Sequence, residues 1–112
     1  MTKLLAILLA IFALSALSFS VNSVTGCADI TNNTDPDYQL ANDLSGANQS
    51  SVAGPACVRI SVSNVSLDCN GFDITNNGTA GLTIAIYTDS VSNVTVRNCP
   101  GLSEYVYGIY AF

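Results

Sequence analysis

The sequence predicts an all-β chain, folded as a parallel solenoid and exported behind an N-terminal leader. Three observations predict it: an apolar run behind a single lysine, a residue usage rich in Val, Thr, Ser, Asn and Gly with one Lys and one Glu, and a seven-residue segment that recurs at a fixed offset. Scarce helix formers and abundant β-branched residues favour strands and turns.

The leader comes first. Met1, Thr2 and Lys3 precede an apolar run from Leu4 to Leu14, which continues through Ser15 to Phe19. One cation before such a run is the pattern of a secretory signal peptide, with Ser18, Ser20 and Ser23 as small residues for cleavage, expected within 17–27. A retained membrane anchor is the rival, but the run is short for a span of about 20 residues. Val24, Thr25, Gly26 and Cys27 also resemble a lipoprotein cleavage box, which would put a lipid on Cys27. Export follows from each of these readings.

Beyond the leader the chain is acidic, with eight carboxylates against Arg59 and Arg97. That balance of about −6 at standard pKa values repels a phosphate backbone and excludes nucleic acid as a partner. Fewer than 95 residues remain to build a core, so the chain is one domain at most. Cys27, Cys57, Cys69 and Cys99 all follow the leader and meet an oxidising compartment, where three disulfide connectivities are open. There is no His and no C-x-x-C, and the cysteine spacings of 30, 12 and 30 fit no zinc pattern.

The repeat decides the architecture. Ser61–Leu67 (SVSNVSL) recurs as Ser90–Val96 (SVSNVTV), with five identities at an offset of 29; after one inserted residue, Cys69 and Gly71 are echoed by Cys99 and Gly101. A second echo links Ile84–Tyr87 with Tyr107–Tyr110 at an offset of 23. The shorter offset is read as a basic coil, and the longer as that coil plus a loop of about six residues over Asn76–Gly81. Within each copy apolar and polar residues alternate: Val65, Leu67 and Cys69 against Ser66 and Asp68, then Val94 and Val96 against Thr95 and Arg97. A helix would scatter these residues around its circumference. A β-sandwich could use the alternation, but recurrence once per coil is better explained by stacking like side chains over like.

The series YQLANDL at 38–44, NVSLDCNG at 64–71, NVTVRNC at 93–99 and GIY at 108–110, with Cys27–Thr31 and Cys57–Ile60, resembles right-handed parallel β-helix proteins of prokaryotic envelopes, the pectate-lyase-like and carbohydrate-binding or sugar-hydrolase-like repeats. The resemblance spans nearly all of the chain after the leader. It implies a right-handed parallel β-helix of two to three three-faced coils: a signal peptide over 1–24, an N-terminal cap over 25–56, and coils over 57–112 that continue in a longer protein. One face would hold Cys57–Ile60, Ile84–Tyr87 and Tyr107–Tyr110; a second, Val65–Asp68 and Val94–Arg97; a third, Phe72–Thr75. It supports a Cys27–Cys57 bridge joining cap to first coil. The inserted residue argues against an equally simple Cys69–Cys99 bridge.

Fold of this kind does not specify function, which must come from a site. Related lyases use clustered acids for calcium and an Arg or Lys base; here Arg59 and Arg97 are the available bases, with Asp68 the nearest repeat carboxylate. No carboxylate spacing matches a glycosidase pair, and without His a serine has no ordinary triad partner. Asp35, Asp37 and Asp43 lack the ligand series of a calcium loop and read as turn residues. No catalytic, cofactor or metal residue is therefore assigned. The expected function is a secreted or cell-surface module with a structural, adhesive or glycan-interacting role, facing surface polysaccharide or other envelope proteins. The alternative is the N-terminal part of a polysaccharide lyase or glycoside hydrolase whose active site lies in further coils.

Five sequons begin at Asn32, Asn48, Asn64, Asn77 and Asn93. Asn64 and Asn93 occupy one place in the repeat and are expected to stack, with Ser66 over Thr95 and Asp68 beside Arg97. That leaves Asn32, Asn48 and Asn77 as the glycosylation candidates, with Asn77 preferred over the stacked pair.

Overall fold

The computed structural model describes residues 20–112. Residues 1–19, which hold most of the expected signal peptide, lie outside the described residues. The described part is all-β: eleven short strands form three parallel sheets around one main core, with no helix among them.

The first sheet joins β1 (Asn22–Val24), β3 (Asp37–Leu40), β6 (Val65–Asp68) and β9 (Val94–Arg97), in that spatial order. The second joins β2 (Ala28–Ile30), β5 (Ala56–Ile60), β8 (Ile84–Thr88) and β11 (Tyr107–Ala111). The third holds the two-residue strands β4 (Leu44–Ser45), β7 (Ile74–Thr75) and β10 (Leu102–Ser103). From β4 onward the chain visits third, second and first sheets in a repeating order, pairing in parallel with the strand it laid down one circuit earlier. The stretch expected to cap the coils supplies β2, β3 and β4, one strand to each sheet.

The register gives physical form to both sequence offsets. Val65 pairs with Val94 and Asp68 with Arg97, whereas Ile84 pairs with Tyr107 and Tyr87 with Tyr110. The difference between circuits lies in the connection into the second sheet: eight residues separate β7 from β8, and three separate β10 from β11. The loop therefore adds five residues rather than about six.

Alternation builds the core. In β6, Val65 and Leu67 are buried while Ser66 and Asp68 are half-buried, the pattern of a strand with one face inward. Ile30, Leu40, Leu44, Val58, Ile60, Leu67, Ile74 and Ile86 converge from all three sheets on this core. Corners are made by asparagine. Asn64 (φ 62°) and Asn93 (φ 55°) immediately precede β6 and β9, and Asn70 (φ 53°) and Asn98 (φ 55°) follow the same strands. This left-handed region is penalised for most side chains and best tolerated by Gly and Asn, so the chain turns where the repeat places Asn.

Burial alternates along β11, with Tyr107 and Ile109 exposed and Gly108 and Tyr110 half-buried, and the Tyr107 and Tyr110 rings meet edge to face at 5.2 Å. Ile84 and Tyr87 share a second small apolar cluster with Ala56, Ala53 and Tyr110. The second sheet thus carries apolar contacts outside the main core.

Candidate functional site

The polar chemistry of the molecule lies in ladders that run from strand to strand. On the second sheet Asp29 pairs in register with Arg59, and Arg59 with Tyr87. Ser61 Oγ donates to Asp29 Oδ1 at 2.7 Å, and the Arg59 guanidinium donates to Asp89. Both members of the Arg59–Asp89 pair keep less than a third of their side-chain surface exposed. The hydrogen bond from Arg59 to Asp89 raises the guanidinium pKa above its ordinary value, against the opposing effect of burial. Arg59 is therefore a fixed cation rather than a proton acceptor.

Next to it, Tyr87 is fully buried, and its hydroxyl has no hydrogen-bond partner among the described residues. Burial pushes its pKa up, since a phenolate there would lack solvation. Its ring stacks on Tyr110 at 5.9 Å, and Tyr107, 41% exposed, continues the aromatic group to the surface.

On the first sheet Ser66 Oγ donates to Asp37 Oδ1 at 2.8 Å, and Arg97 Nε reaches Asp68 Oδ2 at 3.4 Å. Asp68 has closer partners: Asn98 Nδ2 at 3.0 Å and the Asn70 backbone N–H at 2.7 Å, both on Oδ1. These bonds, Asn98 first, hold its carboxyl below the ordinary carboxylate value. A shallow hollow of about 80 Å³ lies on this face, lined by Asp37, Gln39, Ser66, Asp68 and Arg97 together with Val21 and Tyr38. A wider cleft of about 360 Å³ opens at the N-terminal end, along Ser23–Ile30 and Tyr38.

The structure brings the stacking residues together: Asn93 Nδ2 donates to Asn64 Oδ1 at 2.9 Å, and Ser66 lies opposite Thr95 in register. The four cysteines form Cys27–Cys57 and Cys69–Cys99, each pair 30 residues apart. The inserted residue before Cys99 is Asn98, whose left-handed conformation turns the chain there, so the expected obstacle to the second bridge is absorbed at the corner. With its sulfur bonded to Cys57, Cys27 has no thiol left to carry a lipid.

Asn32, Asn48 and Asn77 are all exposed. Asn32 Oδ1 accepts the Thr34 N–H at 2.8 Å, and Asn48 Oδ1 accepts Gln49 Nε2 at 2.9 Å. Asp37 and Asp43 face different partners, Ser66 and the Asp73 N–H, and no group of three or more metal-ligating side chains occurs among the described residues.

Sequence reading missed Arg59–Asp89, Asp29–Ser61, Asp43–Asp73 and Asp68–Asn98. Three of them, Arg59–Asp89, Asp43–Asp73 and Asp68–Asn98, are separated by 30 residues, so the cysteine spacing of 30, applied to polar residues, would have found them; Asp29–Ser61, 32 apart, falls outside it. No protein-family model, curated protein or solved structure matches this chain.

Proposed function

We propose that the chain is the coil region of an exported right-handed parallel β-helix, a structural or adhesive module of the cell surface that presents acidic, hydroxyl-rich outer faces to surface polysaccharide or to other envelope proteins. The observation that carries this reading is covalent and repeated: two disulfides each tie one circuit to the next beside paired strands, at the same separation of 30 residues. Two such bonds are consistent with a place outside the cytoplasm, where thiols oxidise and stay oxidised. Stapled, repeating faces suit a rigid spacer or contact surface. The return of the chain to each of three sheets supports the β-helix reading, as does the resemblance of the repeat segments.

The rival reading is the N-terminal part of a polysaccharide lyase or glycoside hydrolase whose active site lies in further coils. Within the described coils Arg59 pairs with Asp89 and Arg97 with Asp68, so on that reading the catalytic base would come from the further coils.

The test expresses the full chain with an accessible tag in a host that exports it. Location is read by surface labelling of intact cells, thiol state by alkylation, and binding by a glycan array. Surface exposure with all four cysteines oxidised is the expected result. A chain found in the cytoplasm with free thiols would overturn the proposal, and cleavage of any polysaccharide on the array would establish the rival.

A further inference from the structure

We propose that Asn77 is a modification site at which the Asn77–Gly78 peptide deamidates spontaneously, giving aspartate and isoaspartate. The chain contains two Asn-Gly dipeptides, Asn70–Gly71 and Asn77–Gly78, and the fold treats them differently.

The reaction begins when the backbone nitrogen of the following residue attacks the asparagine Cγ. Glycine permits the approach because it has no Cβ and a wide conformational range. Attack by Gly78 N on Asn77 Cγ forms the new C–N bond and releases the amide proton to water. The Cγ–Nδ2 bond then breaks, and Nδ2 takes up a proton and leaves as ammonia. Solvent water opens the resulting cyclic imide at one carbonyl to give aspartate, or at the other to give isoaspartate. The net change is one water consumed and one ammonia released, with no oxidant or reductant.

At Asn77 the geometry leaves this path open. Asn77 and Gly78 are both exposed in the eight-residue connection between β7 and β8. Gly78 has φ +94°, and no heavy atom of the described residues lies within 4 Å of the place a Cβ would occupy. Among the described residues no acceptor engages the Gly78 N–H. Thr79 Oγ1 donates to Asn77 Oδ1 at 3.3 Å, which draws electron density from Cγ and stabilises the oxyanion formed on attack.

At Asn70 the nucleophile is held. The Gly71 N–H donates to Asn98 O at 3.1 Å, and the Asn70 N–H donates to Asp68 Oδ1 at 2.7 Å. Reaction there requires this corner to open first, and opening one hydrogen bond slows it by about tenfold.

Asn77 is also a sequon asparagine, so a glycan on Nδ2 and loss of Nδ2 as ammonia are competing fates of one atom. Deamidation adds a negative charge, and isoaspartate adds a backbone methylene, beside Gly46, whose carbonyl accepts the Tyr105 hydroxyl at 2.6 Å.

The experiment ages the folded, full chain without glycan at mildly alkaline pH. Deamidation at each site is read by peptide mapping, and isoaspartate by enzymatic methyl-ester labelling. The expected result is product at Asn77 at least about tenfold faster than at Asn70, with the two rates converging in denaturant. Thr79→Val should slow Asn77 in the folded chain, and Gly78→Ala should slow it whether folded or unfolded, neither changing Asn70. Equal rates at both sites in the folded chain, or an Asn77 that reacts in denaturant only, would overturn the proposal.

Discussion

Asn93 donates its side-chain amide to Asn64 across 2.9 Å, and both residues stand in the left-handed backbone region at equivalent corners 29 residues apart. The pair does two separable jobs. It relieves a backbone conformation that other residues adopt at a cost of about 1–2 kcal/mol each, and it fixes one strand start over the next.

Replacing Asn64 and Asn93 together by Ala should therefore lower the melting temperature more than replacing Asp68 and Arg97 together. Gly at both corners should restore the conformational part and lose the amide bond. Thermal unfolding of the three double variants measures the order, and an Asn-to-Ala pair that melts with the parent would remove this account of the corners.

Each disulfide closes a loop of 30 residues, for which chain entropy gives a stabilisation of about 3–4 kcal/mol per bond. Cys27→Ser with Cys57→Ser should lower the unfolding free energy, measured by denaturant titration, by an amount in that range. The Cys69 and Cys99 double variant should match it, since the separations are equal. Non-reducing peptide mapping of the parent should return these two pairings and no other.

Acid should weaken the fold through Asp68. Its folded pKa lies below the ordinary 3.8 because Asn98, then the Asn70 N–H, bond the carboxylate. The unfolded chain takes the proton first, so the stabilisation is fully present above 3.8 and is lost as pH falls through the lower folded value. Asp68→Asn should flatten the fall of melting temperature on the acid side, measured against the parent in a pH series.

Alkali acts on Tyr105. Burial raises its pKa from 10.0 to about 12, and its hydroxyl donates to Gly46 O at 2.6 Å. A folded pKa above the unfolded one gives stabilisation that is complete below pH 10.0 and lost as pH rises toward about 12. Tyr105→Phe should reduce that alkaline loss without abolishing it, because the pKa of buried Tyr87 is also raised. Tyrosinate absorbance recorded alongside circular dichroism gives both readings from one titration.

The position of leader cleavage is narrowed by β1. Asn22 Nδ2 donates to Asp35 O at 2.7 Å and to Asp37 O at 3.2 Å, and Val24 is buried under the first sheet. A cut beyond Val24 would remove a paired edge strand. N-terminal sequencing of the exported protein should find a mature end between residues 17 and 22, and an end at Cys27 would show that β1 is dispensable.

Much of the architecture could be read from side-chain order. Alternation in Val65–Asp68 and Val94–Arg97 fixes which residues face inward, because a strand reverses direction at every residue. The offset of 29 fixes their partner register, and Asn at the corners flanking these two strands marks the turn. These are local or periodic properties, and a repeat writes them twice. All-β character with parallel pairing followed from them.

What lay between circuits did not. Whether Arg59 meets Asp89, whether Asn98 rather than Arg97 is the closer partner of Asp68, and whether Cys99 reaches Cys69 depend on how connections of unequal length bring each strand back beside its neighbour. Tyr107 meets Tyr110 although burial alternates along β11, and Gly71 is held by Asn98 O of the next circuit while no acceptor among the described residues engages Gly78. The sequence by itself determined the strands, their inward faces and their repeat. Tertiary structure decided Arg59–Asp89, Asn98 as the closer partner of Asp68, and Cys69–Cys99, since a distance between residues 30 apart is set by the path of the whole circuit and not by any residue in it.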